Sequence, residues 1–406
     1  MSEAREQHLD ELREIVAEVL EVEPEEITET GSFVEEHEAD SLRAIEILAR
    51  IEKKYKIDIP QAKTMLRTVS PADWGRTSLF AAAAARLAVE DSGIDQELLS
   101  AAAAGSSIGT TSGESQVIEQ LTAEWVHEGL SGITPAYAAQ VPASRLANAV
   151  NQELGLSGEA VTLSTACSAS NYALGYAYDQ ILTGDADYMI AGGADSVCRW
   201  AHAGFYRLGA LTEKVCSPFD KDRSGILTGE GGAALFLETL ESATARGAHI
   251  YAEVLGYGLN CDANHMVAPD PVSIAECMRR AHRNAGISPA DVDYICAHGT
   301  GTPANDTMEA KAVVEVFGER PPPISSIKSM LGHTMGAASG FGAIASALAL
   351  DEGFLPPTTN YRTPDPGMPG IDPVPNESRP ARPKVVQNNG FAFGGNNAIT
   401  ILGQVA

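Results

Sequence analysis

Cys167 stands in TLSTACSASNYALGYAYDQIL, where an apolar run of strand character passes straight into a helical one. A cysteine at such a junction meets the free N–H groups and the positive dipole end of the helix, and both stabilise a thiolate. Its neighbours Thr165, Ala166, Ser168, Ala169 and Ser170 are small and leave room for a substrate. The chemistry this predicts is nucleophilic, a thiolate adding to an electrophilic carbon. The competing reading is a small buried apolar residue, which is what most isolated cysteines are. Cys198, Cys216, Cys261, Cys277 and Cys296 are expected to be that.

A thiolate nucleophile needs partners. His298 lies in CAHGTGTP, directly after the strand-like VDYICA, and His333 lies in IKSMLGHTMGAASG, ahead of a run of small residues. A histidine at a strand end beside glycine is a candidate for chemistry, because glycine lets backbone or ligand approach closely. In GFAFGGNNAITIL, Phe393 is followed by Gly394 and Gly395, a tight turn whose N–H groups could face an oxyanion. Taken alone, that turn is also an ordinary lead into a strand. Ser41, in EADSLRAIEIL, opens an acidic amphipathic stretch, where a plain helix N-cap is the simplest reading.

These residues need elements to hold them. Leu9, Leu12, Ile15, Val16 and Val19 form one helical stripe, and Leu42, Ile45, Leu48 and Ile51 form another. Pro24 and Gly31 punctuate the loop between. Strands are expected at 161–164, 188–193, 233–238, 250–258, 292–299 and 398–402. Helices are expected at 81–89, 168–182, 273–285, 307–317 and 340–350. Strand–helix alternation with apolar strands implies an α/β protein whose sheets are covered on both faces. The proline-rich 355–383 reads as a surface loop.

The 406 residues exceed one ordinary domain. The net charge of -26 argues against nucleic acid and anionic membrane as partners. No apolar run reaches the roughly 18 residues of a membrane span, the amphipathic N-terminus is not a signal peptide, and the six cysteines are scattered, all pointing to a cytoplasmic protein. Residues 1–61 hold 18 acidic and 7 basic residues, a composition shift that marks a boundary near Pro60.

The segment FVEEHEADSLRAIEILARIEKKYKIDIP resembles acyl carrier proteins. The resemblance implies a small all-α carrier over 1–61, with 4′-phosphopantetheine attached to Ser41 by a phosphopantetheinyl transferase. Glu46 and Glu52 would lie on its docking surface. Arg43 departs from the acidic pattern and Glu38 replaces the usual glycine. MLRTVSPADW (65–74) would be a remnant of the carrier's closing helix.

TACSAS, PFDKDRSGILTGEGG, HGTGTPANDTMEA, KSMLGHTMGAASG and GFAFGGNNA follow one another in the order and spacing of elongating β-ketoacyl-ACP synthases and polyketide ketosynthases, which the chain resembles from about 76 to 402. The resemblance implies a thiolase-like, duplicated α/β/α fold over 62–406, with halves of about 76–245 and 246–406. It also implies decarboxylative Claisen condensation. Cys167 would carry the acyl chain, and His298 and His333 would hydrogen-bond the malonyl thioester. Lys328 would support the site, with Glu309 behind it. Thr300 and Thr302 would contact the pantetheine amides, and Phe393 would act as gate and oxyanion donor. Acyl-ACP and malonyl-ACP would be the substrates, with no metal or nucleotide. A homodimer, or a heterodimer with another ketosynthase-like subunit, is implied as well.

The opening strand of the VVITGLG type, which the family places at the edge of the first sheet, is not found before Ser78. Losing it would uncover backbone groups and apolar surface. An alternative reading is therefore a non-catalytic scaffold that pairs with an intact ketosynthase. Another is a bare thioester hydrolase or decarboxylase.

Overall fold

The computed structural model describes residues 12–20, 22–27, 66–368 and 370–405. The chain divides into two units, Met1–Thr64 and Met65–Ala406. In the first, a helix at 12–20 is followed by a 3-10 turn at Pro24–Glu26. Val16, Ala17, Val19, Leu20 and Ile27 bury against one another, as the helical stripe requires. Ser41 and the second helical stripe lie outside the described residues.

The second unit is built on two sheets. The first contains β1 (Ala104–Gly109), β2 (Ala160–Leu163), β3 (Tyr188–Asp195) and β4 (Gly231–Glu238), in the order β2-β1-β3-β4. β1 runs parallel to β2 and β3, and β4 antiparallel to β3. The second contains β5 (Glu253–Cys261), β6 (Tyr294–Cys296), β7 (Ile324–Ser325), β10 (Val385–Phe391) and β11 (Asn396–Gly403), in the order β5-β11-β10-β6-β7. A small pair, β8 (Phe354–Leu355) and β9 (Arg379–Pro380), stands apart. β4 and β11 occupy matching places, each antiparallel to the strand inside it. β5 covers the outer edge of β11, whereas no strand among the described residues pairs with the outer edge of β4.

The helices that matter for the site are α1 (Arg76–Ser92), α2 (Ser115–Glu128), α3 (Arg145–Leu154), α4 (Ala169–Thr183), α5 (Arg199–Arg207), α6 (Pro271–Asn284), α7 (Pro303–Phe317), α8 (Lys328–Leu331) and α9 (Ala338–Leu348). α1 and α3 cover the outside of the first sheet and α6 covers the outside of the second. α4 and α9 lie between the sheets and touch each other. Both are rich in small residues because neighbouring side chains press closely on them. A Cβ on Gly340 would meet the Ser170 side chain and one on Gly175 would meet the Tyr257 ring.

The two halves repeat one device. A non-glycine residue at φ 53 (Ala166 or Met335) turns the chain into a 3-10 turn (Ala166–Ser168 or Met335–Ala337), which runs into α4 or α9. Left-handed backbone at a residue with a Cβ costs of order 1–3 kcal/mol and persists where surrounding structure holds it. The hold is mutual. Ser170 Oγ donates to the Gly336 carbonyl at 2.5 Å. Asn171 Nδ2 donates to the Asn388 and Ala398 carbonyls, and Asn388 Nδ2 returns a bond to Asn171 Oδ1 at 2.9 Å.

Two expectations need correction. MLRTVSPADW is not a remnant of a carrier helix. Its described part, 66–74, is a run of turns that belongs to the second unit. Val69 and Trp74 bury with Leu79, Ala82 and Ala149. The buried Glu153 carboxylate accepts the N–H groups of Arg67, Thr68 and Val69 at 2.8, 2.9 and 2.8 Å. Three backbone donors that a helix would have used internally are satisfied by one side chain. Nor is 355–383 simply a surface loop. Thr358 is fully buried and its Oγ1 accepts the Ser326 N–H at 3.0 Å, tying the segment to the strand end ahead of Lys328.

Candidate active site

Cys167 is buried at 5% exposure on the 3-10 turn before α4. Burial pushes its thiol up to about 11. Lys328 opposes this, as do the N–H groups of Phe393 and of Cys167 itself, while Asp195 adds to it. Donors that favour the thiolate in this way are also of the kind that stabilise a developing oxyanion. Cys198, Cys216, Cys277 and Cys296 are buried as expected, but Cys261 is exposed.

His298 follows β6, and its backbone is clamped by opposite charges. Glu309 on α7 accepts the N–H groups of His298 and Gly299, both at 2.8 Å. Lys328 Nζ donates to the His298 carbonyl at 2.6 Å. All three residues are buried. Burial raises Glu309 against the hydrogen bonds from Gly299, Asn389 and His298, and burial lowers Lys328 against the nearby Cys296 and Glu309. The His298 Nδ1 atom is buried without a hydrogen-bond partner.

His333 follows Gly332, at φ 72, after α8. Its backbone pairs with the Leu227–Gly229 segment at 2.7 and 2.9 Å. Its Nδ1 accepts the Met335 N–H at 3.0 Å, which places the ring proton on Nε2. The His298 and His333 rings meet edge to face, centroids 5.7 Å apart. Burial and the Lys328 charge push His333 down to about 3. Burial, Lys328 and His333 push His298 well below the usual imidazole range. Both rings are neutral near pH 7 and can donate hydrogen bonds without acting as acids.

Phe393 opens the turn after β10, with Gly394 and Gly395 at φ 87 and 83. Gly394 N–H donates to the Met266 carbonyl at 2.8 Å. The Phe393 ring lies 5.8 Å from that of Phe205 on α5. Thr300 and Thr302 join through their hydroxyls at 2.9 Å, and Thr302 caps α7 by accepting the Asn305 N–H. Both therefore also have local structural work. Cys167, His298, His333, Lys328 and the Phe393 backbone are brought together, whereas Ser41 lies outside the described residues.

Asp195 is a residue the sequence reading missed. It ends β3 fully inside the protein and accepts from Thr110 Oγ1, Thr111 N–H, Ser112 N–H and Gly336 N–H at 2.8, 2.7, 3.2 and 2.6 Å. It thus pins the turn that carries His333's partner Met335. The available signal was a charge closing the apolar run YMIAGGAD. Among the described residues no group of His, Cys, Asp or Glu could hold a metal, and no helix is long and apolar enough to cross a membrane.

A buried thiol and two histidines whose rings meet, all within reach of the Lys328 charge, sit in a frame of two similar α/β halves. Residues 27–243 match the family described as Beta-ketoacyl synthase, N-terminal domain, and residues 251–362 match Beta-ketoacyl synthase, C-terminal domain. The N-terminal match begins within the segment whose pattern resembles a carrier. The 3-oxoacyl-[acyl-carrier-protein] synthase 2 of Coxiella burnetii (strain RSA 493 / Nine Mile phase I) is 38% identical, over 80% of this chain and 81% of its own. Nodulation protein E of Rhizobium meliloti (strain 1021) is 39% identical, over 81% and 83%. Among solved structures, the ishigamide ketosynthase/chain length factor is 49% identical with a TM-score of 0.83, covering 86% of this chain and 87% of that one. A type II polyketide acyl-carrier protein in complex with its ketosynthase bound to the hexaketide gives 31% and 0.78, covering 82% and 85%. The chain belongs to the β-ketoacyl synthase family. It is a β-ketoacyl-ACP synthase that carries out Claisen condensation in fatty acid or polyketide synthesis.

Proposed function

We propose that Cys167 carries the acyl chain and that His298 and His333 activate the malonyl unit. The observation that carries this reading is a buried thiol and two histidines whose rings meet, gathered around the Lys328 charge. In the first half-reaction the Cys167 sulfur attacks the carrier thioester carbonyl. The oxyanion is met by the N–H groups of Cys167 and Phe393, and the carrier thiol leaves with the proton Cys167 gave up. In the second, malonyl-carrier loses carbon dioxide, and the electron pair of the broken bond becomes an enolate on the thioester oxygen. His333 Nε2–H and the His298 ring donate to that oxygen. The enolate carbon then attacks the acyl-Cys167 carbonyl, and collapse expels the Cys167 thiolate, leaving β-ketoacyl-carrier. Lys328 keeps a positive charge near the thiol and holds the His298 carbonyl. Phe393, against Phe205, is the gate between the two half-reactions, and Thr300 and Thr302 meet the pantetheine amides of the incoming arm.

The substrates on this reading are acyl-ACP and malonyl-ACP, and the compartment is the cytoplasm. The enzyme works as a homodimer or with another ketosynthase-like subunit. The segment 1–61 is read as an acyl carrier with 4′-phosphopantetheine on Ser41, loaded by a phosphopantetheinyl transferase. Its support is the DSL pattern and the acidic composition of the segment. Intact-protein mass spectrometry tests both parts. Incubation with acyl-carrier is expected to add one acyl group, lost in Cys167→Ala. Incubation with a transferase and coenzyme A is expected to add one phosphopantetheine, lost in Ser41→Ala. An acyl adduct that survives Cys167→Ala, or no increment on Ser41, sinks the corresponding part.

A further inference from the structure

We propose that His282, Gln387 and Asn389 are positioning residues for condensation, a one-way hydrogen-bond relay that holds the Glu309 carboxylate and through it the His298 backbone. The inference rests on the reading of His298 as a donor to the malonyl thioester. The contacts run in one line through the second half. His282 Nε2 meets Gln387 Oε1 at 2.7 Å, Gln387 Nε2 meets Asn389 Oδ1 at 2.8 Å, and Asn389 Nδ2 meets Glu309 Oε1 at 2.9 Å. Glu309 then accepts the His298 and Gly299 N–H groups. All four relay side chains are buried at 3% exposure or less.

The direction of the line is fixed by its end. Three N–H groups on the Glu309 carboxylate favour its ionised form against the upward push of burial, and an ionised carboxylate only accepts. Asn389 must therefore turn its NH2 toward Glu309 and its oxygen toward Gln387. Gln387 must turn its NH2 toward Asn389 and its oxygen toward His282. His282 is then left with its proton on Nε2, leaving Nδ1 bare. Nδ1 has no hydrogen-bond partner, and the ring stands edge-on to Phe317 at 5.6 Å. Burial also lowers the pKa of His282, consistent with a neutral ring carrying one N–H. Ile274, Ala275, Cys277 and Met278, on the same helix as His282, are fully buried. A row of polar groups in such a layer is costly unless each is satisfied, and here every donor points the same way, toward one charge. Three aligned dipoles favour that charge, and the charge fixes where the His298 ring begins.

The test separates the two half-reactions in the full chain, with acyl and malonyl groups supplied on a separate carrier protein. Gln387→Leu and His282→Leu cut the line with little change of volume, while His282→Gln keeps a donor where Nε2 stands. Condensation is expected to fall about tenfold in the two leucine variants, the scale of a small displacement of a catalytic group. Cys167 acylation should be unchanged, and His282→Gln should restore condensation. In the double variant His282→Leu/Gln387→Leu the His282–Gln387 pair is apolar on both sides and only Asn389 Oδ1 lacks its donor, so thermal stability should recover relative to Gln387→Leu while condensation stays low. Acylation and condensation falling together with Tm, or condensation returning with Tm in the double variant, overturns the relay. If the single variants do not fold, the double variant decides. His298→Ala is the separate control: intact condensation there overturns the donor reading itself. Lost condensation there, with normal relay variants, overturns the relay alone.

Discussion

Met335 donates its backbone N–H to Nδ1 of His333 at 3.0 Å. The bond ties the tautomer of the His333 ring to a residue held at φ 53, and Asp195 holds the next N–H, that of Gly336. The strained turn thus leaves the ring proton on Nε2, the donor that the proposed function assigns to the malonyl thioester. His333→Gln, which can keep an N–H in that place, should retain more malonyl decarboxylation than His333→Ala. The alanine variant is expected to lose about 10²–10³ in rate, the cost of one preorganised donor. Decarboxylation assayed by carbon dioxide release decides, and equal losses in the two variants would remove the tautomer argument.

The same ring makes a prediction about pH and stability. His333 is held at about 3 against a usual 6.5. As pH falls from 6.5 toward 3, the unfolded chain takes up a proton that the folded chain refuses, so stability is lost across that window. Asp195, pushed up to about 6, works in the opposite sense between 6 and its usual 3.8. The comparison of wild type with His333→Gln isolates the histidine. The urea midpoint of the variant should fall less between pH 6.5 and 4 than that of wild type. A parallel fall would mean that His333 is not the group responsible.

Cys167 should be slow to react as a free thiol. With the thiol at about 11, iodoacetamide alkylation should rise about tenfold per pH unit through the alkaline range, as thiolate fraction does. Lys328 stabilises the thiolate, so Lys328→Met should slow alkylation at any given pH. Mass-spectrometric rates showing no pH dependence, or a faster Lys328→Met, would contradict the electrostatics described.

Glu153 is the anchor of the segment that leads into α1. It accepts three N–H groups and pairs with the buried Arg86, Nε to Oε1, at 2.5 Å. Glu153→Ala removes the nearer counter-charge of the buried Arg86, leaving only the half-exposed Glu90 at 3.9 Å, and should cost about 3–5 kcal/mol. Chemical denaturation is the measurement, and a loss below about 1 kcal/mol, the range of an exposed pair, would contradict it.

How much of this was legible in the sequence follows from what each element is made of. β3, β4 and β11 were readable because apolar and β-branched residues mark them. β1, AGSSIG, was missed because it has almost none. Its composition is set by crowding: a Cβ on Gly105 would lie 2.5 Å from the Glu159 carbonyl, and one on Gly109 would lie 2.5 Å from that of Ala169. β10 was hidden by Gln387, Asn388 and Asn389, whose polar side chains are spent on the two halves and on Glu309. The motif residues of the site were legible because chemistry fixes their types. Asp195 and the relay were not, because their partners lie far away in sequence and only the fold brings them together.

The crowding between the halves yields the last expectation. Gly193 lies in β3 where both strained turns converge. A Cβ there would lie 2.7 Å from the carbonyl oxygens of Gly109 and Gly336, and would also strike Ser170 Oγ. Two of these three obstacles are backbone and cannot rotate away. A methyl group at Gly193 must therefore displace the end of β1 at Gly109, which packs on the first turn of α4 after Cys167, or the Gly336 turn, which follows His333. Overpacking of this kind costs about 1–3 kcal/mol, and catalysis should fall further than stability because both half-reactions lose alignment. Gly204→Ala is the control, on α5 with nothing within 4 Å of the added carbon. It should leave Tm unchanged or slightly raised. Acylation and condensation rates for Gly193→Ala, measured well below its Tm, should both be reduced. If either rate stayed at the wild-type value, the strained turn serving that half-reaction would not depend on this contact.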